Sequence, residues 1–408
     1  MEKHPKVAVI GGGAAGFFAA VNIAELCTNA QVTIFEKNNH VLGKVKISGG
    51  GRCNITHNQP NSNILIQNYP RGKELLKSAF AQLAVADTVT WFASHGLMLK
   101  TEPDGRMFPV GNRSQEVIDL FINLTQKYSI KIHTATAVND ISLSSNKFEI
   151  HSQLFDYVIV TIGGQPKIQG YDMVSKLGHN IIAPVPSLFT FNVPNSKFTD
   201  LMGVSLPHAN IKITGAKLHS QGAALFTHWG LSGPAVLKLS AWAARELYAN
   251  NYHFAAILKM HQDYTEDSLT LLFLQTKENN KLKTVMANRL PDIPQRLWEK
   301  LCELSDIAPT LKWADMSAKK MNKLTQSIVH QVFEVKGKTT FKEEFVTAGG
   351  VNSNELNINT LESLIIPNLY FAGEVLDIDG ITGGYNFQAA WSTAWVAAND
   401  ISNKIINA

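Results

Sequence analysis

The stretch Lys6-Val7-Ala8-Val9-Ile10-Gly11-Gly12-Gly13-Ala14-Ala15-Gly16 decides the fold. Val7 to Ile10 is a short, continuous apolar run, the pattern of a parallel strand buried on both faces. Three glycines follow at once, and Phe17 to Leu26, apolar or small on most faces, predicts a buried helix. Gln31 to Glu36 predicts a second strand. Strand, glycine turn, helix and strand within about thirty residues make one βαβ unit. Gly11-x-Gly13-x-x-Gly16 therefore stands in the strand-to-helix context that gives such a motif its meaning. Gly11 permits a tight turn, Gly13 lets backbone approach a pyrophosphate, and Gly16 lets helix and strand pack closely. The helix start then offers free N–H groups and partial positive charge to phosphates. Glu36 lies 20 residues past Gly16, where a carboxylate accepts hydrogen bonds from ribose hydroxyls.

That pattern suits FAD or NAD, and the far terminus favours FAD. Phe371-Ala372-Gly373-Glu374 follows an apolar strand, and Gly383-Gly384-Tyr385-Asn386 leads into a final helix from about Phe387 to Asp400. A strand ending in Gly-acid suits a ribityl hydroxyl. A helix start beside the isoalloxazine stabilises negative charge on a reduced flavin. Gly163-Gly164, after the apolar strand Tyr157 to Ile162, lacks a third glycine and reads as a crossover beneath the same cofactor. No second complete fingerprint follows residue 36, so no dedicated NAD(P)H domain is expected. A nicotinamide docking transiently over the flavin, and reoxidation by O2, both stay open.

Composition bounds the rest. The chain has 408 residues, too many for one ordinary core, and is 45% hydrophobic and 17% charged, as folded proteins are. No apolar run approaches the roughly 18 residues needed to cross a bilayer. The basic start Met1 to Lys6 precedes only four apolar residues, Val7 to Ile10, which predicts a cytoplasmic first strand and no leader. Three cysteines, Cys27, Cys53 and Cys302, form no C-x-x-C pair. That points to a reducing compartment, against a dithiol–flavin relay, and against a structural zinc or other metal. Net charge is +4, too small by itself to argue for nucleic acid.

Along the chain, Lys73 to Gly96 and Ser114 to Tyr128 predict amphipathic helices. Thr190 to Ile213 alternates and predicts a β-rich insert. Thr265 to Gln331 turns to Lys-rich helices, with Leu297, Leu301 and Leu304 on one helical stripe.

Four motifs in order resemble one known group. They are Ile10 to Gly16, Lys46-Ile47-Ser48-Gly49-Gly50-Gly51-Arg52-Cys53-Asn54-Ile55-Thr56, Phe226 to Pro234 (F-T-H-W-G-L-S-G-P), and Phe371 to Ala390. Together they are similar to the bacterial BaiN/RdsA-type, or YhiN-like, NAD(P)/FAD-dependent oxidoreductases, a group that includes aminoacetone-oxidase-like flavoproteins. The resemblance covers essentially the whole chain. It implies an α/β architecture: a Rossmann-like FAD-binding domain in two segments, residues 1–189 and 350–408. A β-barrel-like insert, 190–262 and 336–349, then carries a small helical subdomain, 263–335. Carried over by position, Gly11, Gly13, Ala14, Ala15, Gly16, Glu36 and Lys37 belong to the ADP end. Lys44, Ser48, Gly49, Gly50, Arg52, Cys53 and Asn54 run along pyrophosphate and ribityl chain, and Val138 holds adenine through its backbone. Gly163, Gly164, Gly373, Glu374, Gly384, Tyr385, Asn386 and Phe387 lie toward the flavin. Lys44-Val45-Lys46 departs from the group's small or polar residues and leaves open which lysine approaches the flavin.

Candidates for chemistry each carry two readings. Arg52 fits pyrophosphate or a substrate carboxylate, by a bidentate contact. His228, beside Trp229 on the insert and expected to face the flavin, fits an acid–base role or a fixed turn. Tyr385 donates to a carbonyl or stacks, and Arg106 binds an anion or braces its own turn. Cys53 lacks a resolving partner nearby. The expected function is hydride transfer between FAD and a small organic substrate. Its rivals are a flavin oxidase and an RNA-modifying or RNA-binding flavoprotein. The latter is disfavoured because the lysines of 277–338 are interleaved with acids, as on a solvated helix face. Oligomeric state is not readable from the sequence.

Overall fold

The opening strand Lys6–Ile10 lies at the centre of a parallel sheet in the computed structural model, which describes residues 4–339 and 346–408. Residues 1–3, part of the start weighed as a leader, and 340–345, part of the expected insert, lie outside the described residues. The sheet order is Leu369–Phe371, Tyr157–Val160, Lys6–Ile10, Gln31–Phe35, Lys131–His133, all neighbours parallel. Every chain end that matters for a dinucleotide thus emerges on one edge, after Ile10, Phe35 and His133. The described residues divide into two compact units, 4–187 with 346–408, and 188–339.

In the first unit the helix Ala14–Leu26 packs against the C-terminal helix Tyr385–Ile406. Phe18, Phe92, Phe121 and Trp391 are fully buried between them and their neighbours. The single helix expected over Lys73 to Gly96 is two, Lys73–Gln82 and Val85–Ser94. Leu83 and Ala84 turn extended, and the Asp87 carboxylate accepts from the Ala84 N–H at 2.8 Å, starting a new helix. Ser114–Lys127 forms as expected. A three-stranded antiparallel meander over Ser142–Ser144, Lys147–Ile150 and Gln153–Phe155, without an apolar alternation long enough to read in the sequence, precedes Tyr157–Val160.

The second unit holds a seven-stranded antiparallel sheet whose two ends, Gln331–Lys336 and Lys338–Thr339, are consecutive in the chain. The first pairs with His253–Lys259 and the second with Thr190–Asn192, so one bent strand closes the sheet into a barrel. Gly337 makes the bend at φ +101, its N–H donating to Tyr252 O and its carbonyl accepting from Asn192 N. The helices Glu266–Asn279, Gln295–Leu304 and Ala318–Val329 share one apolar core with this barrel, Leu297, Leu301, Trp298 and Trp313 included. The strand Val346–Val351, whose first four residues fall in the expected insert, pairs instead with Ile181–Ser187 of the first unit.

A buried relay closes the return segment of the first unit. His179 accepts or donates to Ser363 Oγ at 2.9 Å through Nε2, and meets Glu355 Oε2 at 3.1 Å through Nδ1. Burial holds its imidazole below the ordinary 6.5, against the pull of Glu355. The folded state therefore prefers neutral His179, and the unfolded chain takes up the proton first. Its stabilisation is full above about pH 6.5 and is lost as pH falls through the folded value. The melting temperature is expected to fall between about pH 7 and 5.5 with a steeper slope than in His179→Asn. Equal slopes for the two proteins would remove this residue from the acid response.

Candidate functional site

Gly11 and Gly16 are glycines for packing. A Cβ on Gly16 would strike Gly11 O and come within 2.7 Å of Thr161 Oγ1; one on Gly11, at φ +112, would strike the Thr161 carbonyl. Gly13 differs. Its φ of −92 is open to any residue, and a Cβ there would meet nothing within 4 Å. The helix it caps has no side-chain cap and no acid in its first turn. That leaves first-turn N–H groups and the positive end of a helix dipole facing an open backbone surface.

Glu36 is buried beside this turn. Its Oε2 accepts from Gly12 N at 2.8 Å, and its Oε1 accepts from Asn38 N at 2.8 Å and Asn38 Nδ2 at 2.7 Å. Three of about four acceptor positions of the carboxylate are therefore used in shaping the turn. Lys37 is exposed and Val138 half-buried, just past the point where Thr136 N donates to Glu36 O.

The segment Gly43–Gly51 is helical only in its first half. Ser48 turns extended, Gly49, Gly50 and Gly51 take positive φ, and Cys53 follows at φ +58. Gly49 is fixed by its neighbours, since a Cβ would come 3.0 Å from Phe108 Cε1, whereas Gly50 and Gly51 face open space. Ser48 Oγ donates to Val45 O. Cys53 is fully buried, and burial pushes its thiol up to about 12, so it is no thiolate at neutral pH. Asn54, with its amide set to satisfy its neighbours, donates to Thr56 O and Met107 O and accepts from Gly384 N at 2.9 Å.

That last bond ties the loop to the C-terminal motif. The helix Tyr385–Ile406 starts at Gly384, φ +94, again with no side-chain cap and no first-turn acid. Gly373 abuts Ala15, where a Cβ would come 2.8 Å from the alanine methyl. Glu374 accepts from Lys44 Nζ at 2.7 Å and from Thr347 N at 3.0 Å, and Gly164 packs beside both Glu374 and Thr347. Lys44, of the two lysines left open, is thus the one placed at the C-terminal motif. Asn386 spends both ends of its amide on Gly380, and Phe387 stacks on Trp391. The side chains of Asn386 and Glu374 are largely committed to holding these turns.

Tyr385 is mostly buried, which pushes its phenol up to about 12, so it stays a donor at neutral pH. The His57 ring stacks on it, centroids 4.8 Å apart, and His57 Nδ1 lies 3.1 Å from Gly383 O. His57 lies one residue past the loop motif that ends at Thr56, and nothing in its neighbourhood marks it, since the motif its ring meets, Gly383 and Tyr385, lies more than 300 residues away. Asp379 carries no local signal either. It is fully buried, holds Arg71 bidentately and accepts from Ser187 Oγ at 2.6 Å.

Both candidate arginines have carboxylate partners. Arg106 donates to Asp104 at 2.7 Å and to Glu102 at 3.2 Å, contacts that brace its own turn. Arg52 donates to Glu102 at 2.6 Å and lies 4.0 Å over the Phe108 ring, already supplied with a carboxylate. His228 sits exposed at the tip of the hairpin joining His219–Thr227 to Gly230–Ser232, while Trp229 donates to Thr190 Oγ1 and Gly230 N to Thr227 Oγ1. Its turn is fixed by those neighbours.

The residues fit FAD on their own geometry. Two long helices begin uncapped at glycine, one at the βαβ turn and one at the chain's last motif; they pack on each other, and Gly373 lies against Ala15 of the first while donating to Thr393 Oγ1 of the second. A diphosphate suits the first start, and a ring that gathers negative charge on reduction suits the second.

The pattern of the family described as HI0933-like protein Rossmann domain matches residues 5–400. The chain belongs to this family. Proteins similar to it include a ribosomal RNA dihydrouridine synthase of Haemophilus influenzae, 30% identical over 99% of this chain and 100% of that one. A 3-dehydro-bile acid delta(4,6)-reductase of Clostridium scindens is 27% identical over 96% of this chain and 98% of that one. Among solved structures, a flavocytochrome c3 fumarate reductase in an open conformation superposes with a TM-score of 0.51 at 15% identity, covering 99% of this chain and 79% of that one. That likeness shows the fold. As a member of the HI0933-like family, the flavoprotein group its four motifs resemble, the chain is an FAD-dependent oxidoreductase. No helix among the described residues is long and apolar enough to cross a membrane, and none of their side chains cluster as a metal site.

Proposed function

We propose that the chain reduces a carbon–carbon double bond conjugated to a carbonyl, with FAD as redox group and NAD(P)H as electron source. The observation that carries the reading is the pair of uncapped glycine-led helices that pack on each other, with Gly373 lying against Ala15 of the first and donating to Thr393 Oγ1 of the second. The chemistry is common to the two named relatives. Dihydrouridine arises by adding two hydrogens across the uracil double bond conjugated to a ring carbonyl, and the bile-acid reductase is named for ring double bonds of a 3-oxo steroid.

FAD, when bound, supplies hydride transfer at its isoalloxazine ring. The first-turn amides after Gly13 hold its diphosphate, Glu36 offers its remaining acceptor position to the ribose, and Gly50 and Gly51 give backbone room along the chain. The start of the Tyr385–Ile406 helix favours anionic flavin. Reducing a conjugated double bond also needs a proton on the carbon next to the carbonyl. Tyr385, kept protonated by burial and stacked on His57, supplies it.

Two substrates fit this chemistry: a small enone, one case of the small organic substrate expected from the sequence, and the uracil ring of RNA. The second is favoured by the relatives named as rRNA dihydrouridine synthases in Haemophilus influenzae and Escherichia coli, 30% and 27% identical. Under argon, NADH or NADPH is expected to bleach the flavin, and an enone or a uridine-rich RNA to restore its colour while gaining two hydrogens, read by mass spectrometry. Restoration by O2 alone, after bleaching by an alcohol or amine, would establish the oxidase reading instead.

A further inference from the structure

The positive charge of the chain is not shared between its units. Residues 188–339 carry 18 Lys and Arg against 12 Asp and Glu, a net of +6. The remaining residues carry 19 against 21, a net of −2. The modest overall charge, too small by itself to argue for nucleic acid, hides a basic body attached to a slightly acidic one.

Within the second unit the excess is concentrated. The stretches 277–283 and 312–323 hold seven lysines, Lys277, Lys281, Lys283, Lys312, Lys319, Lys320 and Lys323, against Glu278 and Asp315. The fold sets the two stretches side by side. Thr284 bridges Lys312, Val285 N donates to Leu311 O, Trp313 N to Lys283 O, and Ala314 N to Lys281 O. Lys281, Lys283 and Lys312 line this short ladder, all three exposed, with Leu282 standing 81% exposed between the first two. The lysine-bearing helix Ala318–Val329 follows, and contains no acid. The local field is felt by Asp306, whose carboxyl the Lys323 hydrogen bond holds below its ordinary range, with Lys320 and Lys319 adding to it.

We infer that the ladder carrying Lys281, Lys283 and Lys312 is a docking surface for the phosphate backbone of RNA. The inference rests on the reading of the substrate as uridine in RNA. Charge complementarity selects the occupant: clustered ammonium groups on short, exposed backbone suit a chain of phosphates, whereas a small neutral enone needs no such field.

The test uses full-length protein loaded with FAD and a fluorescent, uridine-rich single-stranded RNA. Wild type is expected to bind with affinity that falls steeply with salt. The triple variant Lys281→Glu, Lys283→Glu, Lys312→Glu should bind at least about tenfold more weakly, and its salt slope should drop by about 2, roughly 0.7 for each phosphate no longer neutralised. The triple Lys→Arg variant should bind as wild type does. Flavin content and reoxidation by a small enone should stay unchanged in all three; should the Glu variant misfold, the Gln triple replaces it. Unchanged RNA binding in the triple Glu variant would overturn the surface while leaving the RNA reading intact. Absence of RNA binding by wild type, or binding to anionic vesicles in its place, would overturn both, and enone turnover would then carry the reductase reading alone.

Discussion

Gly13→Val is expected to yield a folded protein that no longer holds FAD. Gly13 has a φ of −92 and a ψ of −168, comfortable for a β-branched residue, and a Cβ there meets no atom within 4 Å. Nothing in the fold therefore opposes the substitution. The methyl groups would fill the space through which a diphosphate approaches the first-turn amides, and separate charge from dipole. A loss of FAD affinity of at least about a hundredfold is expected, near 3 kcal/mol, with far-ultraviolet circular dichroism unchanged. Gly16→Ala provides the contrast, because its methyl would strike Gly11 O and Thr161. That variant should lose stability as well as cofactor. A Gly13→Val protein that binds FAD normally would show that the diphosphate does not approach this turn.

The second large effect is on stability. Trp391 is fully buried on the C-terminal helix, 5.4 Å from Phe18, 5.5 Å from Phe92 and Phe387, and 5.9 Å from Phe121 by ring centroids. Its indole N–H also donates to Ile55 O at 2.9 Å, within the segment that follows the glycine loop. Trp391→Ala leaves a cavity bounded by four rings and an orphaned carbonyl, so a loss of about 3–5 kcal/mol is expected in urea unfolding. Trp391→Phe keeps most of the ring volume and should lose less. A Trp391→Ala protein within about 1 kcal/mol of wild type would mean that this cluster collapses freely around the gap.

What the sequence made legible follows the range of the interactions. Strand, glycine turn and helix from Lys6 to Leu26 could be read because each residue acts on its neighbours. Gly16 faces Gly11 O, a neighbour in sequence, and Gly11 holds its turn at φ +112, although the carbonyl that also crowds Gly11 belongs to distant Thr161. The break at Leu83-Ala84 was hidden because an amphipathic pattern continues across it; a single capping carboxylate, Asp87, decides otherwise. The closing of the barrel was hidden too, since the bend at Gly337 looks like any glycine until both halves of the strand have partners.

The site divides the same way. The glycines could be assigned from spacing, but the side chains between them could not, because their partners are distant in sequence. Arg52 could be read as an anion ligand and Arg106 as an anion ligand or a turn brace, and Glu102 lies beside both. Glu374 and Asn386 looked like cofactor ligands, and the fold uses them to hold Lys44, Thr347 and Gly380. His57 had no local signal, and only its stacking on Tyr385 brings it forward.

The central claim is that one FAD spans two helix starts, at Gly13 and at Gly384. Hydrogen–deuterium exchange on the protein stripped of flavin and then reloaded with FAD tests it most directly. The account predicts that FAD slows exchange in both segments together, the amides of 13–17 and those of 384–388, with the loop at 49–54 following. Protection of only one segment, or of neither, would contradict it.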